Sequence, residues 1–579
     1  MPTVPENPPE DIACLSLRWS LALLAGLVDG GLRQLVLSPG SRSTPLVLAA
    51  QHLPGLDLTP ILDERSAAFF ALGLARASHC PVALLCTSGS AAGHWLPAVI
   101  EASEWGDPLV LLTADRPPQL RGWGANQAID QIRLFGPFAR EFHDPGLPQA
   151  GAVALKAMRA LGRRAAAVAS NPHPGPVHIN LPFPEPLVPG ERCADVPECL
   201  PGLGTSGPAA RLRQIPDLVP EDLAPLLRGR GLICFGPGEL AACAPDLWRC
   251  ARALHLPVLT DPLSGLRFGG EGPGRIARYD SLLRNATAAA VLRPDWVLRL
   301  GAAPVSKTLV EWLAGVPALL VDRAGRWADP THDAVAQVEA DPGAFCRWLA
   351  GAGLVESDLD WLAAWEAGEG QVAALAAEHL TESDWCEAHL IRDLIGTLPA
   401  GEGLFCANSL PIRQLDTWSG ARSGPLAVFG NRGASGIDGQ PSTLAGINAA
   451  GVPTLGLVGD LSLAHDLSGL FLANRLRRPL VVLNNGGGRI FDYLPQHGLP
   501  DFERLWRTPL DLDLSELARP FGLTHRRIRD EAGFRQALSD ALAAPGPGLM
   551  EVVIDAEASR AIHLGFWQRV AKADLLAGH

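Results

Sequence analysis

Lysine is almost absent from this 579-residue sequence: only Lys156, Lys307 and Lys572 stand among its 48 basic residues. Acidic residues outnumber basic ones, and the net charge of −13 excludes a general nucleic-acid-binding or anionic-membrane surface. The balance still allows a local basic pocket. A chain with this bias is expected to keep lysine where arginine is a poor substitute, so Lys307, at the end of "APVSK", is a candidate binding residue.

Paired cysteine motifs and targeting signals are also missing. The 11 cysteines include no CxxC pair, which argues against a zinc site or a disulfide framework and favours reduced thiols in a cytoplasmic protein. The N-terminus, "MPTVPENPPEDIACLSL", lacks the basic region and apolar run of a signal peptide. The uncharged stretch 81–100 contains "TSGS" and His94, so it predicts a strand, a turn and a helix and not a membrane span.

Short apolar strands, Gly/Ser/Pro turns and helices alternate along the chain. Examples are "LVLSPGSRSTPLVLAA", "GLICFGPGEL" and "TLGLVGDLSLAHDLSGLFLA". This alternation predicts parallel α/β sheets whose functional loops lie at the carboxyl ends of the strands. A Pro/Gly-rich stretch, 184–212, and a polar helical stretch, 364–385, are candidate linkers. They predict three domains, each a mainly parallel sheet flanked by helices, at 1–185, 205–360 and 380–579.

Two asparagines and three glycines end a buried strand in "LVVLNNGGGRIFDYLP", residues 480–495, although the chain has only 11 asparagines. Asp460 stands 25 positions before Asn485, follows another apolar strand and opens a helix. The segment from Asp460 to Asn485 therefore predicts strand end, helix, strand and strand end. In a parallel sheet, such a unit brings both strand ends to the same edge, side by side.

Those residue types suit a metal ion shared with a diphosphate. Mg²⁺ prefers about six oxygen ligands and often binds together with substrate phosphates. We expect the carboxylate of Asp460, the amide oxygen of Asn485 and the carbonyl of Gly487 to hold the ion without repelling the phosphates. The glycine N–H groups and the helix start after Gly459 supply donors for phosphate oxygens. An Asn-Gly turn and an N-cap aspartate would explain each segment alone, but the pair at this spacing favours the metal site.

A Gly-Asp pair followed some 25 residues later by Asn-Asn resembles the cofactor signature of thiamine-diphosphate enzymes. The resemblance implies thiamine diphosphate and Mg²⁺ or Mn²⁺ as cofactors. It also implies that 1–185 is a pyrimidine-binding domain, 205–360 a central domain and 380–579 a diphosphate-binding domain. Members of this class are homodimers or dimers of dimers, so we expect the same here.

The resemblance further predicts a glutamate that faces the pyrimidine ring of the cofactor and promotes its imino tautomer. In "LTPILDERSAAFFALGLARAS", Glu64 lies between a short strand and an amphipathic helix, where that residue is expected. A helix-start glutamate favoured by the helix dipole is the alternative. Ile437 matches the apolar wedge beneath the bent cofactor, and Ile490 and Phe491 are expected to line its thiazolium side.

Four motifs resemble a narrower family: "SPGSRSTPL" (38–46), "TADRPPQLRGWGANQ" (113–127), "APVSK" (303–307) and "NRGASGIDG" (431–439). They are similar to motifs of the synthases of menaquinone and phylloquinone biosynthesis. Those transferases decarboxylate 2-oxoglutarate and add the succinyl-semialdehyde carbanion to isochorismate. Both substrates are dicarboxylates, and arginine suits them because its planar fork can bind a carboxylate through two nitrogens.

The resemblance assigns the substrate residues individually. Ser409 and Arg413, in "CANSLPIRQL", match the residues that hold the succinyl carboxylate, and Glu64 and Gln127 match catalytic positions. The expected isochorismate-binding residues are Ser41, Arg42, Arg116, Asn126, Gln127, Lys307 and Arg432. Some relatives carry a second basic residue after the lysine, whereas this chain has Thr308.

Two other functions remain open from the residues. One is a different thiamine-diphosphate enzyme, such as an acetolactate synthase or an oxoacid decarboxylase, which would not need the set Arg42, Arg413, Arg432 and Lys307. The other is an inert cofactor-binding regulatory subunit, which the presence of Glu64 and Asp460 disfavours. Assaying 2-oxoglutarate plus isochorismate against pyruvate alone separates the first alternative from the synthase.

Overall fold

A computed structural model of the chain describes residues 11–190, 193, 223–270, 272–356 and 358–577. It contains three six-stranded sheets in which every assigned strand pair is parallel, and helices flank each sheet. The α/β class and the three mainly parallel sheets predicted from the alternating pattern are therefore confirmed. Backbone contacts group the chain into two compact units, which are described separately.

The first unit comprises the chain up to residue 213 together with Asn431–Gly451 and Asp466–Arg475. Its sheet has the strand order β2-β1-β3-β4-β6-β5. The strands are β1 (Gln34–Leu37), β2 (Asp57–Pro60), β3 (Val82–Cys86), β4 (Leu109–Asp115), β5 (Glu141–His143) and β6 (Val177–Pro182). The helices are α1 (Ile12–Asp29), α2 (Thr44–Gln51), α3 (Glu64–Ser78), α4 (Leu96–Trp105) and α5 (Ala152–Ser170), and 3₁₀ turns cover Ser90–Trp95, Pro118–Leu120 and Gly136–Phe138.

Helix α1 is a core helix of the first unit. It is the only helix among the described residues with the length and hydropathy to cross a membrane, and 83% of it is buried inside the fold. It packs against α5, where Gly26 faces the backbone of Arg159 so closely that a Cβ atom would collide with it. The stretch 81–100 forms β3, a 3₁₀ turn and the start of α4, as the sequence predicts.

The second unit comprises Gln214–Gly430, Val452–His465 and Leu476–His579. Its first sheet has the order β12-β11-β10-β7-β8-β9. The strands are β7 (Gly231–Phe235), β8 (Val258–Thr260), β9 (Arg275–Ile276), β10 (Trp296–Leu300), β11 (Ala318–Val321) and β12 (Ala334–Val338). The accompanying helices are α6 (Ala244–Leu254), α7 (Tyr279–Leu282), α8 (Ala286–Val291), α9 (Lys307–Leu313), α10 (Pro342–Gly351) and α11 (Leu359–Glu382), with a 3₁₀ turn at Ala241–Cys243.

The C-terminal sheet of the second unit has the order β14-β13-β15-β16-β18-β17. The strands are β13 (Gly403–Cys406), β14 (Ala427–Phe429), β15 (Thr454–Gly459), β16 (Leu480–Asn484), β17 (Thr524–Ile528) and β18 (Gly548–Val553). The helices of this part of the chain are α12 (Glu387–Thr397), α13 (Leu410–Trp418), α14 (Gln440–Ala449), α15 (Asp460–His465), α16 (Leu514–Ala518), α17 (Glu531–Ala543) and α18 (Ala556–Lys572). Shorter helical turns cover Leu467–Arg475, Arg489–Tyr493, Glu503–Arg507 and Arg519–Phe521.

Helix α14 belongs to the first unit although it lies late in the chain. It packs against α3, and Gly73 and Gly446 allow the two backbones to approach closely. A Cβ atom on Gly73 would collide with the carbonyl of Thr443, and one on Gly446 with the carbonyl of Phe70. This packing fixes the segment that follows β14, which carries the motif "NRGASGIDG", onto the first unit.

Of the two predicted linkers, 364–385 lies within the described residues, whereas most of 184–212 does not. The stretch 364–385 falls largely in α11, a 24-residue helix whose buried face includes Trp365 and Val372. The Pro/Gly-rich stretch 184–212 lies outside the described residues, apart from 184–190 and residue 193.

The prediction that all cysteines are reduced is wrong for one pair. The structure joins Cys14, on α1, to Cys193 by a disulfide that spans 179 residues of sequence. Pairs this far apart along the chain cannot be recognised from cysteine spacing alone, because the fold brings them together. Eight other cysteines of the described part of the chain are free thiols, and seven of these are buried.

Candidate active site

The carboxyl ends of β15 and β16 carry the predicted metal-binding residues. The strands pair in parallel, with Gly459 opposite Leu483, so Asp460 and Asn485 follow neighbouring strand ends as predicted. Asp460 is buried, and its Oδ2 atom accepts the N–H groups of Gly486 at 3.1 Å and of Gly487 at 2.8 Å. The glycine loop after β16 therefore folds directly over the carboxylate.

The conformation of this loop requires glycine. Gly486 has φ 79° and Gly487 has φ 114°, in the left-handed region that other residues rarely adopt. A Cβ atom on Gly487 would also collide with the carbonyl of Arg507. Two successive bare residues thus bring backbone N–H groups to Asp460.

The two asparagines after β16 have different partners. The Nδ2 atom of Asn484 donates to Oε1 of Glu551 at 2.8 Å, which ties Asn484 to the neighbouring strand β18. The side chain of Asn485 hydrogen-bonds the buried carboxyl of Glu387, and its main-chain carbonyl accepts Nε of Arg489 at 2.9 Å. Asn485 therefore stays at the loop, beside Asp460, while Asn484 is part of the sheet.

These donors fit a divalent ion and a diphosphate. Burial raises the pKa of Asp460, and the N–H groups of Gly487, Leu461 and Gly486 oppose this rise by stabilising the carboxylate. A bound cation would also stabilise the carboxylate. No cluster of three or more His, Cys, Asp or Glu side chains suited to a metal occurs in the described part of the chain. A carboxylate, an amide and a carbonyl form the oxygen-rich set that suits Mg²⁺ or Mn²⁺.

The predicted apolar neighbours of the cofactor are half-buried. Ile490 and Phe491 lie on the 3₁₀ turn Arg489–Tyr493, directly after the glycine loop. The guanidinium of Arg489 lies 3.1 Å from the carboxylate of Glu557, which holds this turn against α18. Ile437, the predicted wedge residue, belongs to the first unit.

Glu64 is the first residue of α3 and follows β2, as the sequence predicts. Its neighbour Asp63 caps the helix by accepting the N–H groups of Arg65 at 2.9 Å and Ser66 at 3.2 Å. Because Asp63 serves as the cap, the half-buried Glu64 side chain is not needed for helix initiation. Leu62 is 81% exposed at the same corner.

Three predicted isochorismate residues lie in the loop after β4. The Nε atom of Arg116 donates to the main-chain carbonyl of Asn126 at 3.1 Å, and the side chain of Gln127 donates to the carbonyl of Ser88 at 3.0 Å. Gln127 has φ 56°, an uncommon conformation for a residue other than glycine. The loop thus brings Arg116, Asn126 and Gln127 together beside the turn after β3.

The loop after β1 contributes Ser41 and Arg42 to the same unit. Ser41 is exposed, whereas only 3% of the Arg42 side chain is exposed. Arg42 donates to the carbonyl of Phe183 at 2.7 Å and to the carboxylate of Glu185 at 2.6 Å. The same Glu185 oxygen lies 3.6 Å from Nη1 of Arg116. Contacts through Glu185 therefore connect Arg42 with Arg116.

The motif "NRGASGIDG" is held by a buried carboxylate. Glu101, on α4, accepts the main-chain N–H groups of Gly433 at 2.9 Å, Ala434 at 2.7 Å and Ser435 at 3.4 Å. Glu101 also pairs with the buried Arg76 at 3.2 Å. This carboxylate fixes the loop between Arg432 and Ile437, in which Ala434 and Ser435 are exposed.

The three remaining predicted residues belong to the second unit. Lys307 begins α9, is 83% exposed and lies 3.3 Å from Glu311. Ser409 and Arg413 are adjacent, because Nη1 of Arg413 donates to the carbonyl of Ser409 at 2.6 Å. Ser409 has φ 70° and ψ −126°, a strained conformation that is typical of functional sites. The i, i+4 spacing of the two residues at the start of α13 accounts for this proximity.

Sequence patterns did not predict two carboxylates, Glu101 and Glu185, that contact the predicted substrate-binding segments. Glu101 is the first charged residue after Arg76, in an otherwise uncharged stretch, and that isolation was a usable signal. Glu185 stands between two prolines in "LPFPEPLV", within an apolar segment, and this was a weaker signal. The contact partners of both residues could not be found from local sequence.

Comparison with known proteins agrees with this geometry. A family described as "Thiamine pyrophosphate enzyme, N-terminal TPP binding domain" matches residues 18–134. A second, "Middle domain of thiamine pyrophosphate", matches residues 211–406. With the three parallel sheets and the paired strand ends at Asp460 and Asn485, these matches define a thiamine-diphosphate-dependent enzyme.

Full-length relatives narrow the family. A Geobacillus kaustophilus protein named 2-succinyl-5-enolpyruvyl-6-hydroxy-3-cyclohexene-1-carboxylate synthase is 42% identical to this chain, over 96% of this chain and 98% of the relative. The protein of the same name from Dechloromonas aromatica is 42% identical over 94% of this chain and 99% of the relative. The one from Myxococcus xanthus is 41% identical over 96% of this chain and 98% of the relative. The chain belongs to the 2-succinyl-5-enolpyruvyl-6-hydroxy-3-cyclohexene-1-carboxylate synthase family. The resemblance drawn from the four sequence motifs is confirmed at the level of the family.

Proposed function

We propose that the protein decarboxylates 2-oxoglutarate and adds the resulting four-carbon unit to isochorismate. The products are 2-succinyl-5-enolpyruvyl-6-hydroxy-3-cyclohexene-1-carboxylate and CO₂. Family membership over nearly the whole chain supports the reaction. The structural observation that carries the proposal is the buried Asp460 at a strand end, covered by the N–H groups of Gly486 and Gly487.

At the cofactor, Asp460, Asn485 and Gly487 would hold Mg²⁺ or Mn²⁺ together with the diphosphate. Thiamine diphosphate, when bound, would supply a nucleophilic thiazolium carbon and an electron sink for the decarboxylation of the oxoacid. Glu64 holds a proton at the pyrimidine ring and thereby assists deprotonation of that carbon. Ile437 would support the cofactor, and Ile490 and Phe491 would exclude water from its thiazolium ring.

The substrates are recognised through their carboxylates. Arg413 and Ser409 bind the distal carboxylate of 2-oxoglutarate, and the loop around Gln127 orients the acceptor. Isochorismate is bound by Ser41, Arg42, Arg116, Asn126, Gln127, Lys307 and Arg432. A cationic set of this size in a chain of net charge −13 is what a binding site for two dicarboxylates requires.

We also propose a cytoplasmic homodimer or dimer of dimers with domains at 1–185, 205–360 and 380–579. Leu62 and Trp123, in the first unit, are 81% and 83% exposed and are therefore available to a protein contact. Since Leu62 stands two residues before Glu64, a second copy of the chain covering Leu62 would lie beside the catalytic glutamate. In that dimer, Glu64 of one chain and Asp460 of the other serve the same cofactor.

Release of CO₂ tests the proposed reaction. Protein freed of cofactor and metal should release CO₂ from 2-oxoglutarate only when both thiamine diphosphate and a divalent ion are restored, and isochorismate should accelerate turnover. Pyruvate supplied at the same concentration should react much more slowly. Faster release from pyruvate, with no response to isochorismate, would instead assign the protein to another thiamine-diphosphate lyase.

A further inference from the structure

Two arginines of the first unit share one carboxylate oxygen. The Oε1 atom of Glu185 lies 2.6 Å from Nη2 of Arg42 and 3.6 Å from Nη1 of Arg116. We propose that Glu185 is a positioning residue that holds Arg42 and Arg116 together to receive one carboxylate of isochorismate. This inference rests on the proposed function, which places both arginines at the acceptor.

The Arg42 side chain is held by a single short segment. Its Nη1 atom donates to the carbonyl of Phe183 at 2.7 Å, and its Nη2 atom donates to Glu185, two residues further on. Its main-chain N–H donates to Oγ1 of Thr87 at 3.3 Å. Two acceptors on one segment set both the position and the plane of the guanidinium, which free rotation of the side chain would otherwise leave variable.

Burial makes the charge partner necessary. Only 3% of the Arg42 side chain is exposed, and a buried guanidinium without an anionic partner is costly. Glu185 itself is 69% exposed, so it can supply that charge with little desolvation of its own. Its orientation at the protein surface is fixed by the arginines it contacts.

The charge balance leaves room for one substrate carboxylate. Arg42 and Arg116 together carry two positive charges, and two guanidinium groups this close would repel each other without an intervening anion. Glu185 cancels one of the charges, so the cluster keeps a net charge of +1. The Nε atom of Arg42 is buried and has no hydrogen-bond partner among the described residues.

Arg116 connects this cluster to the rest of the acceptor loop. Its Nε atom donates to the carbonyl of Asn126, the residue before Gln127. Losing the anion at Glu185 would therefore disturb both arginines and, through Arg116, the loop that carries Asn126. Glu185 does not need to touch the substrate for this effect, which distinguishes it from the arginines.

The test replaces Glu185 by glutamine, which keeps the shape and removes the charge. Isochorismate binding is measured by calorimetry on protein loaded with thiamine diphosphate and Mg²⁺, without 2-oxoglutarate. We expect Kd to rise about 10- to 100-fold, as for the loss of a charge-assisted contact. Single-turnover CO₂ release from 2-oxoglutarate alone should stay within about twofold of wild type, since the oxoacid is assigned to the second unit.

Glu516→Gln is the matched control. Glu516 is 66% exposed and pairs at 2.9 Å with Arg519, so the substitution makes the same change in net charge at a glutamate about as exposed as Glu185. Its Kd for isochorismate and its CO₂ release should match those of wild type. An equal rise in Kd for both variants would mean that overall charge, not Glu185, governs binding, and would overturn the proposal.

Other outcomes also decide the matter. Wild-type protein that does not bind isochorismate refutes the proposed function and this inference together. Binding by wild type with equal or tighter binding by Glu185→Gln refutes the inference alone, and so does a parallel loss of CO₂ release, which would indicate a general structural role. If the glutamine variant does not fold, Glu185→Asp carries the same test, with an expected rise in Kd of about 3- to 10-fold because the charge is kept.

Discussion

Replacing Arg413 by alanine should separate the two substrates. Arg413 is exposed, and its Nη1 atom donates to the carbonyl of Ser409 at 2.6 Å, so part of the guanidinium is already satisfied. The guanidinium of Arg413 is proposed to bind the distal carboxylate of 2-oxoglutarate. A hydrogen bond to a charged group contributes about 1.5–3 kcal/mol, which corresponds to roughly 10- to 150-fold in rate. We expect kcat/KM for 2-oxoglutarate to fall by that factor.

The assay is single-turnover release of CO₂ from 2-oxoglutarate and from pyruvate, with a separate titration of isochorismate. Pyruvate lacks the distal carboxylate, so its rate should change little and the preference for 2-oxoglutarate should narrow. Isochorismate affinity should also change little. Arg535→Ala is a suitable control, because Arg535 is exposed, pairs with Asp393 and Glu531, and has no proposed role in substrate binding. If Arg413→Ala spared 2-oxoglutarate and weakened isochorismate, Arg413 would belong to the acceptor site.

Three further predictions concern the cofactor, the assembly and stability. Asp460→Ala should weaken the binding of both the divalent ion and thiamine diphosphate in calorimetric titrations, because the two are held as one unit. If this variant bound thiamine diphosphate with normal affinity in the absence of metal, the assignment of Asp460 to the metal site would be wrong. Mixing inactive Glu64→Gln with inactive Asp460→Ala should restore some activity if subunits exchange, because one site of the mixed dimer keeps both residues; a fully active monomer in light scattering would exclude the proposed dimer. Burial raises the pKa of Asp466 to about 6, above its ordinary 3.8, so the folded state binds the carboxyl proton more tightly than the unfolded state does. The charged carboxylate therefore destabilises the folded state. This penalty is absent below pH 4, grows from pH 4 to 6 and is complete above pH 6. Asp466→Asn keeps an acceptor for the N–H of Ser442. In denaturant unfolding, this variant should be more stable than wild type above pH 6, by up to about 3 kcal/mol, and no more stable near pH 4. Equal effects at both pH values would show that the buried charge of Asp466 is not the cause.

The cofactor end of the site was predictable because its rules are local. A strand, a helix and a second strand in a parallel sheet place the two strand ends side by side, and this is where Asp460 and Asn485 lie. The contact between Arg413 and Ser409 follows a similarly local rule, the i, i+4 spacing of a helix. In both cases, the separation along the chain is short enough for one structural unit to determine the contact.

The supports of the substrate loops could not be predicted because their partners are distant in sequence. Glu101 binds the N–H of Gly433 across 332 residues, and Glu185 binds Arg42 across 143. No periodicity connects such pairs, so the isolation of Glu101 in an uncharged stretch, although a signal in itself, does not reveal its partners. The return of 431–451 to the first unit, where α14 packs on α3, is likewise a result of folding that local patterns do not contain.

Mass spectrometry of the reaction product is the most direct test of the central claim. Protein loaded with thiamine diphosphate and Mg²⁺ is incubated with 2-oxoglutarate uniformly labelled with ¹³C and with unlabelled isochorismate. We expect one adduct, with the mass of 2-succinyl-5-enolpyruvyl-6-hydroxy-3-cyclohexene-1-carboxylate, that carries four of the five labelled carbons, the fifth leaving as labelled CO₂. Labelled succinic semialdehyde as the sole product, with isochorismate unconsumed, would contradict it.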